Sequence, residues 1–150
     1  MTRKEFGERM DQIDPESPTA VDDYAALFEQ DYEESEWDLN DPAVLEDLLS
    51  AAQKELKDHM GKYDALKKKI DNELRRAGAT EAQINWGLFG DVELPTIAYL
   101  RVSRMAVSLI ETSYRIRQCL GELKLLGKYT DAVDPDEITR IRKEYGRRYG

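Results

Sequence analysis

The sequence predicts an all-α protein: a long antiparallel, coiled-coil-like helical hairpin with short helices flanking it at both ends. Two apolar repeats and the loop between them carry the prediction. From Leu45 the apolar residues recur at steps of four and three through Leu49, Ala52, Leu56, Tyr63, Leu66, Ile70 and Ala77. Such spacing keeps one stripe on one face of a helix and favours a left-handed supercoil with a partner. The pattern returns at Ala98, Val102, Met105, Leu109, Thr112, Ile116, Cys119, Leu123 and Leu126. The stretch from Ala79 to Glu93, with Gly87 and Gly90 around Trp86 and Phe89, reads as a compact tip about which the two runs fold back.

The elements follow in order. Thr2 and Glu5 have the spacing of a capping box, and Phe6, Met10 and Ile13 share one face, so a short helix is expected over residues 3–13. Pro15 and Pro18 break it. A second short helix is expected from Ala20 to about Tyr32, followed by an irregular stretch from Glu33 to Asn40. Asp41 caps the first long helix, Pro42 suits a first turn that needs no N–H donor, and Gly78 suits its end. Pro95 and Gly127 bracket the second. Asp134, Pro135 and Glu137 open a last helix with a basic end.

The second long helix carries an additional apolar flank in Ile97, Leu100, Val107, Ile110 and Tyr114. A helix with two apolar faces needs two partners. At about 1.5 Å per residue each long helix spans about 50 Å, too long for one small globule to enclose. A terminal helix or a second copy of the chain is therefore expected on the spare face.

Charge divides the chain. The net charge is −9, yet residues 1–41 hold 14 acidic and three basic residues, while residues 42–150 hold 17 acidic and 19 basic. The layout is an acidic arm (1–41), a hairpin core (42–128) and a basic C-terminal helix (129–150). No apolar run approaches the roughly 20 residues of a membrane span, and the first residues lack a signal-peptide core. Cys119, the single cysteine, excludes an intramolecular disulfide and is read as buried core. A cytoplasmic protein without a cofactor is expected.

Candidate contact residues fall in three places. In the arm, Tyr24, Leu27, Phe28 and Trp37 stand among acids, so the arm either folds onto the spare face of the hairpin or docks into a partner protein. At the tip, Trp86 and Phe89 either plug the bundle end or form a contact patch. Basic residues at Lys67, Lys68, Lys69, Arg140, Arg142, Lys143, Arg147 and Arg148 are candidates for phosphate contact with DNA. Interleaved acids make a solvated face the leading reading of the lysines, and the helix macrodipole alone favours bases at a C-terminus.

Little in the sequence points to catalysis. His59, the single histidine, sits in the seam between Leu56 and Tyr63, where a polar residue commonly sets register. No glycine-rich phosphate loop or paired-cysteine metal motif is present. Neither a catalytic group nor a metal ligand is assigned. The spacing of Glu33 and Glu36 with Glu55 and Asp58 resembles the acidic pattern of MazG-like nucleotide pyrophosphohydrolases. That resemblance implies magnesium held against a nucleotide triphosphate.

Tyr63-Asp64-Ala65-Leu66-Lys67 leading to Arg75-Arg76-Ala77-Gly78, then Leu94-Pro95-Thr96-Ile97 leading to Leu123-Lys124-Leu125-Leu126-Gly127, resemble the helical hairpin of phage terminase small subunits. The similarity covers about residues 55–128. It implies a hairpin that drives ring assembly, DNA contact through the basic residues, and contact between the arm and a large motor subunit. The chain departs from that family in having an acidic arm where many members carry a basic helix-turn-helix. The leading expectation is a non-enzymatic, oligomeric assembly protein of a phage or mobile element. The alternatives are an acidic inhibitor or nucleic-acid mimic, and the pyrophosphohydrolase.

Overall fold

The structure, a computed structural model, describes residues 1–85 and 92–146. Among these residues it contains six helices and no strand: α1 (Arg3–Gln12), α2 (Ala20–Glu34), α3 (Pro42–Arg76), α4 (Glu81–Asn85), α5 (Thr96–Leu126) and α6 (Pro135–Glu144). None of them is long and apolar enough to cross a membrane. Trp86, Phe89, Arg147 and Arg148 lie outside the described residues.

Helix ends follow local chemistry. The Thr2 hydroxyl accepts from the Glu5 N–H at 3.1 Å, Asp41 from Ala43 at 3.0 Å, and Asp134 from Asp136 at 2.9 Å. Each satisfies an N–H that a first helical turn leaves without an intrahelical acceptor. At the end of α3, Gly78 takes φ 90°, a conformation that costs any residue with a Cβ. Its N–H donates to the Arg75 carbonyl, and the Ala79 N–H donates to Leu74, both at 3.0 Å. This is the bond pair of a glycine-terminated helix. Gly127 closes α5 differently, in the right-handed region. Space is tight there: a Cβ would stand 3.3 Å from both the Leu123 carbonyl oxygen and Val133 Cβ.

The tip holds one element that reading it as a loop overlooks. Thr80 and Gln83 form a reciprocal box: the Thr80 N–H donates to Gln83 Oε1 at 2.8 Å, and the Gln83 N–H donates to Thr80 Oγ1 at 3.1 Å. The spacing Thr-x-x-Gln is the signal in the sequence. It opens α4, whose Ile84 is buried.

α3 and α5 pack against each other. Ala52, Leu56, Tyr63, Ile70 and Leu74 join Val102, Leu109, Ile116, Cys119, Leu120 and Leu123 in one buried cluster. Leu45, Leu49, Leu66 and Met105 lie partly buried against it. Thr112 and Ser113, also buried, return their hydroxyls to the carbonyls of Ser108 and Ile110 at 2.7 and 2.6 Å, so neither is left unsatisfied.

The acidic arm folds onto α5. α2 buries Ala20, Val21, Tyr24, Ala25, Leu27 and Tyr32, and it packs on α5. Gly121 permits the approach: a Cβ there would meet Tyr24 Cβ at 2.5 Å, and both the Ala25 nitrogen and the Val21 oxygen at 3.0 Å. α1 packs on α2 through Phe6 and Phe28, whose rings meet edge-on at 5.3 Å. α6 closes the other side with Ile138, Ile141 and Tyr145 buried. Tyr145 packs edge-on to Tyr63 at 5.0 Å and donates its hydroxyl to Asp64 at 3.2 Å.

Two alanine substitutions of equal chemistry are expected to have opposite signs. In Gly121→Ala the new Cβ meets backbone that cannot rotate away, an overpacking of about 1–3 kcal/mol. That outweighs the roughly 1 kcal/mol of helix propensity gained, and the thermal midpoint falls. In Gly61→Ala, inside α3, nothing lies within 4 Å of the added carbon. The propensity gain stands alone there, and the midpoint rises. Thermal unfolding followed by circular dichroism checks both.

Candidate functional site

The contact residues expected from sequence are dispersed by the fold. Tyr24 and Leu27 are buried within the chain, and Phe28 is packed between Phe6 and Tyr32. The apolar side of α2 faces α5, so Tyr24 and Leu27 serve the fold, while Phe28 stays partly exposed. Trp37 is half exposed and lines a small cavity with Tyr32, Leu39 and Tyr129. Among the basic residues, Lys68 and Lys69 are exposed on α3 and Lys67 is half-buried. Arg140 lies 2.8 Å from Glu144 and 3.8 Å from Glu137. Arg142 donates to the Pro18 carbonyl at 2.6 Å, and Lys143 is exposed. The described C-terminal arginines therefore already hold partners in the same chain.

Two other features stand out. The first is the outer face of α5 over its first half. Ile97 is 72% exposed, Leu100 50% and Val107 55%. Their spacing of three and seven places them on one side of the helix, with Arg104 between them. The reason is length. α2 has 15 residues against 31 in α5, about 22 Å against about 46 Å. The arm covers the second half, where Asp22 pairs with Lys124 and Glu29 lies 3.2 Å from Lys128.

The second feature is a cavity of about 670 Å³ where α1, α2, α3 and α5 meet. Phe6, Met10 and Phe28 form its apolar wall, opposite Glu55, Cys119 and Glu122. Asp11 and Glu111 add acids to the rim, and Arg115 is the one base among the lining residues. Glu55 and His59 are one helical turn apart on α3, with Oε1 and Nε2 3.6 Å from each other. Cys119 comes from the facing position on α5, and one ligand atom from each of the three lies within 4.8 Å of the others.

In this acidic corner Asp11, Glu55 and Glu111 are exposed, and Glu122 is partly buried. Burial pushes the Glu122 carboxyl up to about 7, with Glu55 and Asp31 adding to the shift and a hydrogen bond from the Tyr32 hydroxyl opposing it. Burial likewise pushes the Cys119 thiol up to about 12, helped by the charges of Glu55 and Glu122. Tyr32 is held well above its ordinary value by burial and by Glu122. The thiol by itself is thus a poor nucleophile at neutral pH. Among the described residues, the cluster that includes Glu55 is completed by His59 and Cys119, without Glu33, Glu36 or Asp58.

The sequence presents His59 and Cys119 separately, one as a register residue and one as core. Glu55-x-x-x-His59 is a visible helical pair. Which α5 residue it faces depends on the register between α3 and α5, which neither run specifies alone. Searches against protein-family models, curated proteins and solved structures return no match to this chain.

The partly buried carboxyl of Glu122 makes a pH-dependent prediction. Its folded pKa, about 7, lies above the usual 4.5. Below pH 4.5 the group is neutral in both folded and unfolded chains and costs nothing. Between 4.5 and 7 the folded chain retains a proton that the unfolded chain releases, so stability falls as pH rises. Above 7 the penalty is complete, on the order of 1–3 kcal/mol. Glu122→Gln is expected to match the parent at pH 4 and exceed it at pH 8 by that amount. Urea unfolding at the two pH values measures it.

Proposed function

We propose that the chain is a non-enzymatic assembly protein that works as a homo-oligomer, in the manner of the terminase small subunits whose hairpin it resembles. The open outer face of α5 carries the reading. Ile97, Leu100 and Val107 stand half or more exposed on a helix whose other half is covered by α2 of the same chain. Fully burying such a side chain is worth about 1.5–3 kcal/mol, so three of them on one rigid helix form a strong association surface. A second copy is the occupant this face fits. The exposed acids of one arm complement Arg104, which stands between the apolar residues, and self-complementary faces close into symmetric assemblies.

Reading α3 and α5 as an antiparallel hairpin is supported at both ends of the pair. Glu73, late in α3, lies 3.7 Å from Arg101, early in α5. Glu55, earlier in α3, lies beside Cys119, late in α5. Such a hairpin gives the outer face a stiff backing, which a repeated subunit interface needs. The arm's apolar side is committed to α5 in cis. In an assembly it therefore works by its exposed acids and by Trp37, at the outer end of the α2 segment.

Light scattering on a sizing column tests the proposal. The parent chain is expected to elute as an oligomer. A Leu100→Asp/Val107→Asp double variant is expected to elute as a monomer with unchanged helical circular dichroism. Each lost apolar contact weakens association by roughly tenfold or more. A parent chain that is monomeric at every accessible concentration would refute the reading.

A further inference from the structure

We infer that Glu55, His59 and Cys119 form a binding site for a divalent transition-metal ion of the zinc type at the joint between α3 and α5. This stands apart from the assembly reading: it involves the opposite half of α5 and none of the exposed apolar residues.

The donor set points to the class of ion. A carboxylate oxygen, an imidazole nitrogen and a thiol sulfur are the three side-chain ligands that zinc takes, and a mixture of hard and soft donors selects zinc and its neighbours over magnesium or calcium. Geometry agrees. With bonds of about 2.0–2.3 Å in a tetrahedral site, ligand atoms stand about 3.3–3.8 Å apart. Glu55 Oε1 and His59 Nε2 are already at 3.6 Å. The three donors lie within 4.8 Å of one another, so rotation about side-chain bonds closes the set without backbone movement. The ligands come from two helices that pack along a continuous apolar seam, which holds the site rigid. Three protein ligands leave a fourth position open to water or to an exchangeable group.

Access and charge favour a cation as well. Glu55 and Cys119 both line the cavity of about 670 Å³, so an ion has a route to them. Four carboxylates, Asp11, Glu55, Glu111 and Glu122, face that space against the single guanidinium of Arg115. Such a cavity attracts cations. A plain i,i+4 histidine–glutamate pair accounts for Glu55 and His59. It gives no account of a third donor arriving from the facing helix at the mouth of an acidic cavity.

The test uses the full chain, stripped of metal with a chelator and titrated with cobalt(II) alone, then with zinc(II) in competition. One equivalent of cobalt is expected to bind with a thiolate-to-cobalt charge-transfer band, which zinc abolishes. Zinc at about a hundredfold excess over its Kd is expected to raise the thermal midpoint by about 5–10 °C. Cys119→Ala is expected to lose the band. His59→Asn and Glu55→Gln, at positions still in reach of solvent, are expected to fold normally and to bind at least about tenfold more weakly, a loss that changes to the groups behind a metal's ligands already cause. Asp58→Asn, on the same turn of α3 but outside the cluster, serves as the control and is expected to bind as the parent does. Absence of the band in folded parent chain would overturn the inference. So would a band and affinity unchanged in His59→Asn, which would place the cobalt on the thiol alone.

Discussion

The approach of α2 to α5 at Gly121 governs what the rest of the molecule can do. Val21, Tyr24 and Ala25 sit so close to this glycine that any side chain there would overlap them. Because the two helices meet backbone to backbone, Tyr32 is carried in against Glu122 and Phe28 over the wall of the acidic cavity. The same docking exhausts the length of α2 before it reaches the first half of α5. One contact therefore builds the cavity, buries Tyr24 and Tyr32 of the arm and leaves Ile97, Leu100 and Val107 uncovered.

Electrostatics directs this docking more than it powers it. Along the joint the arm meets a sequence of bases: Arg117 donates to the Pro15 carbonyl, Arg142 to that of Pro18, Lys124 pairs with Asp22 and Lys128 with Glu29. Exposed ion pairs of this kind contribute at most about 1 kcal/mol each. Burial of Val21, Tyr24, Leu27 and Tyr32 stabilises the joint more. The pairs set the register of α2 on α5 and turn part of the arm's negative charge toward the chain itself. An arm with 14 acidic residues, which composition alone would send to a basic partner, finds its first partners within the same molecule.

The two functional readings sit on opposite halves of α5 and differ in how visible they are along the chain. The spare apolar flank is legible in Ile97, Leu100 and Val107, because a period of 3.6 marks a face whether or not anything covers it. The metal-type cluster is not. His59 and Cys119 each have an adequate solitary explanation, and only the register between α3 and α5 puts the sulfur beside the imidazole. Arg140 and Arg142 have the look of a phosphate-contacting tail, yet the fold pairs them with Glu144 and Pro18. Composition records how many charges there are, not which are already paired.

From sequence alone came the all-helical class, the boundaries of α3 and α5 to within a residue or two, the caps at Thr2, Asp41 and Asp134, the left-handed stop at Gly78 and the existence of a second apolar face on α5. All of these rest on interactions within a few residues of one another, so the local order of side chains is enough to specify them. Tertiary structure decided that the arm lies on α5, that it covers only half of it, and that Glu55, His59 and Cys119 converge. Those outcomes depend on how one helix slides and rotates against another. That choice was made by steric fit at Gly121 and by pairings across about a hundred residues, which no periodicity along the chain encodes.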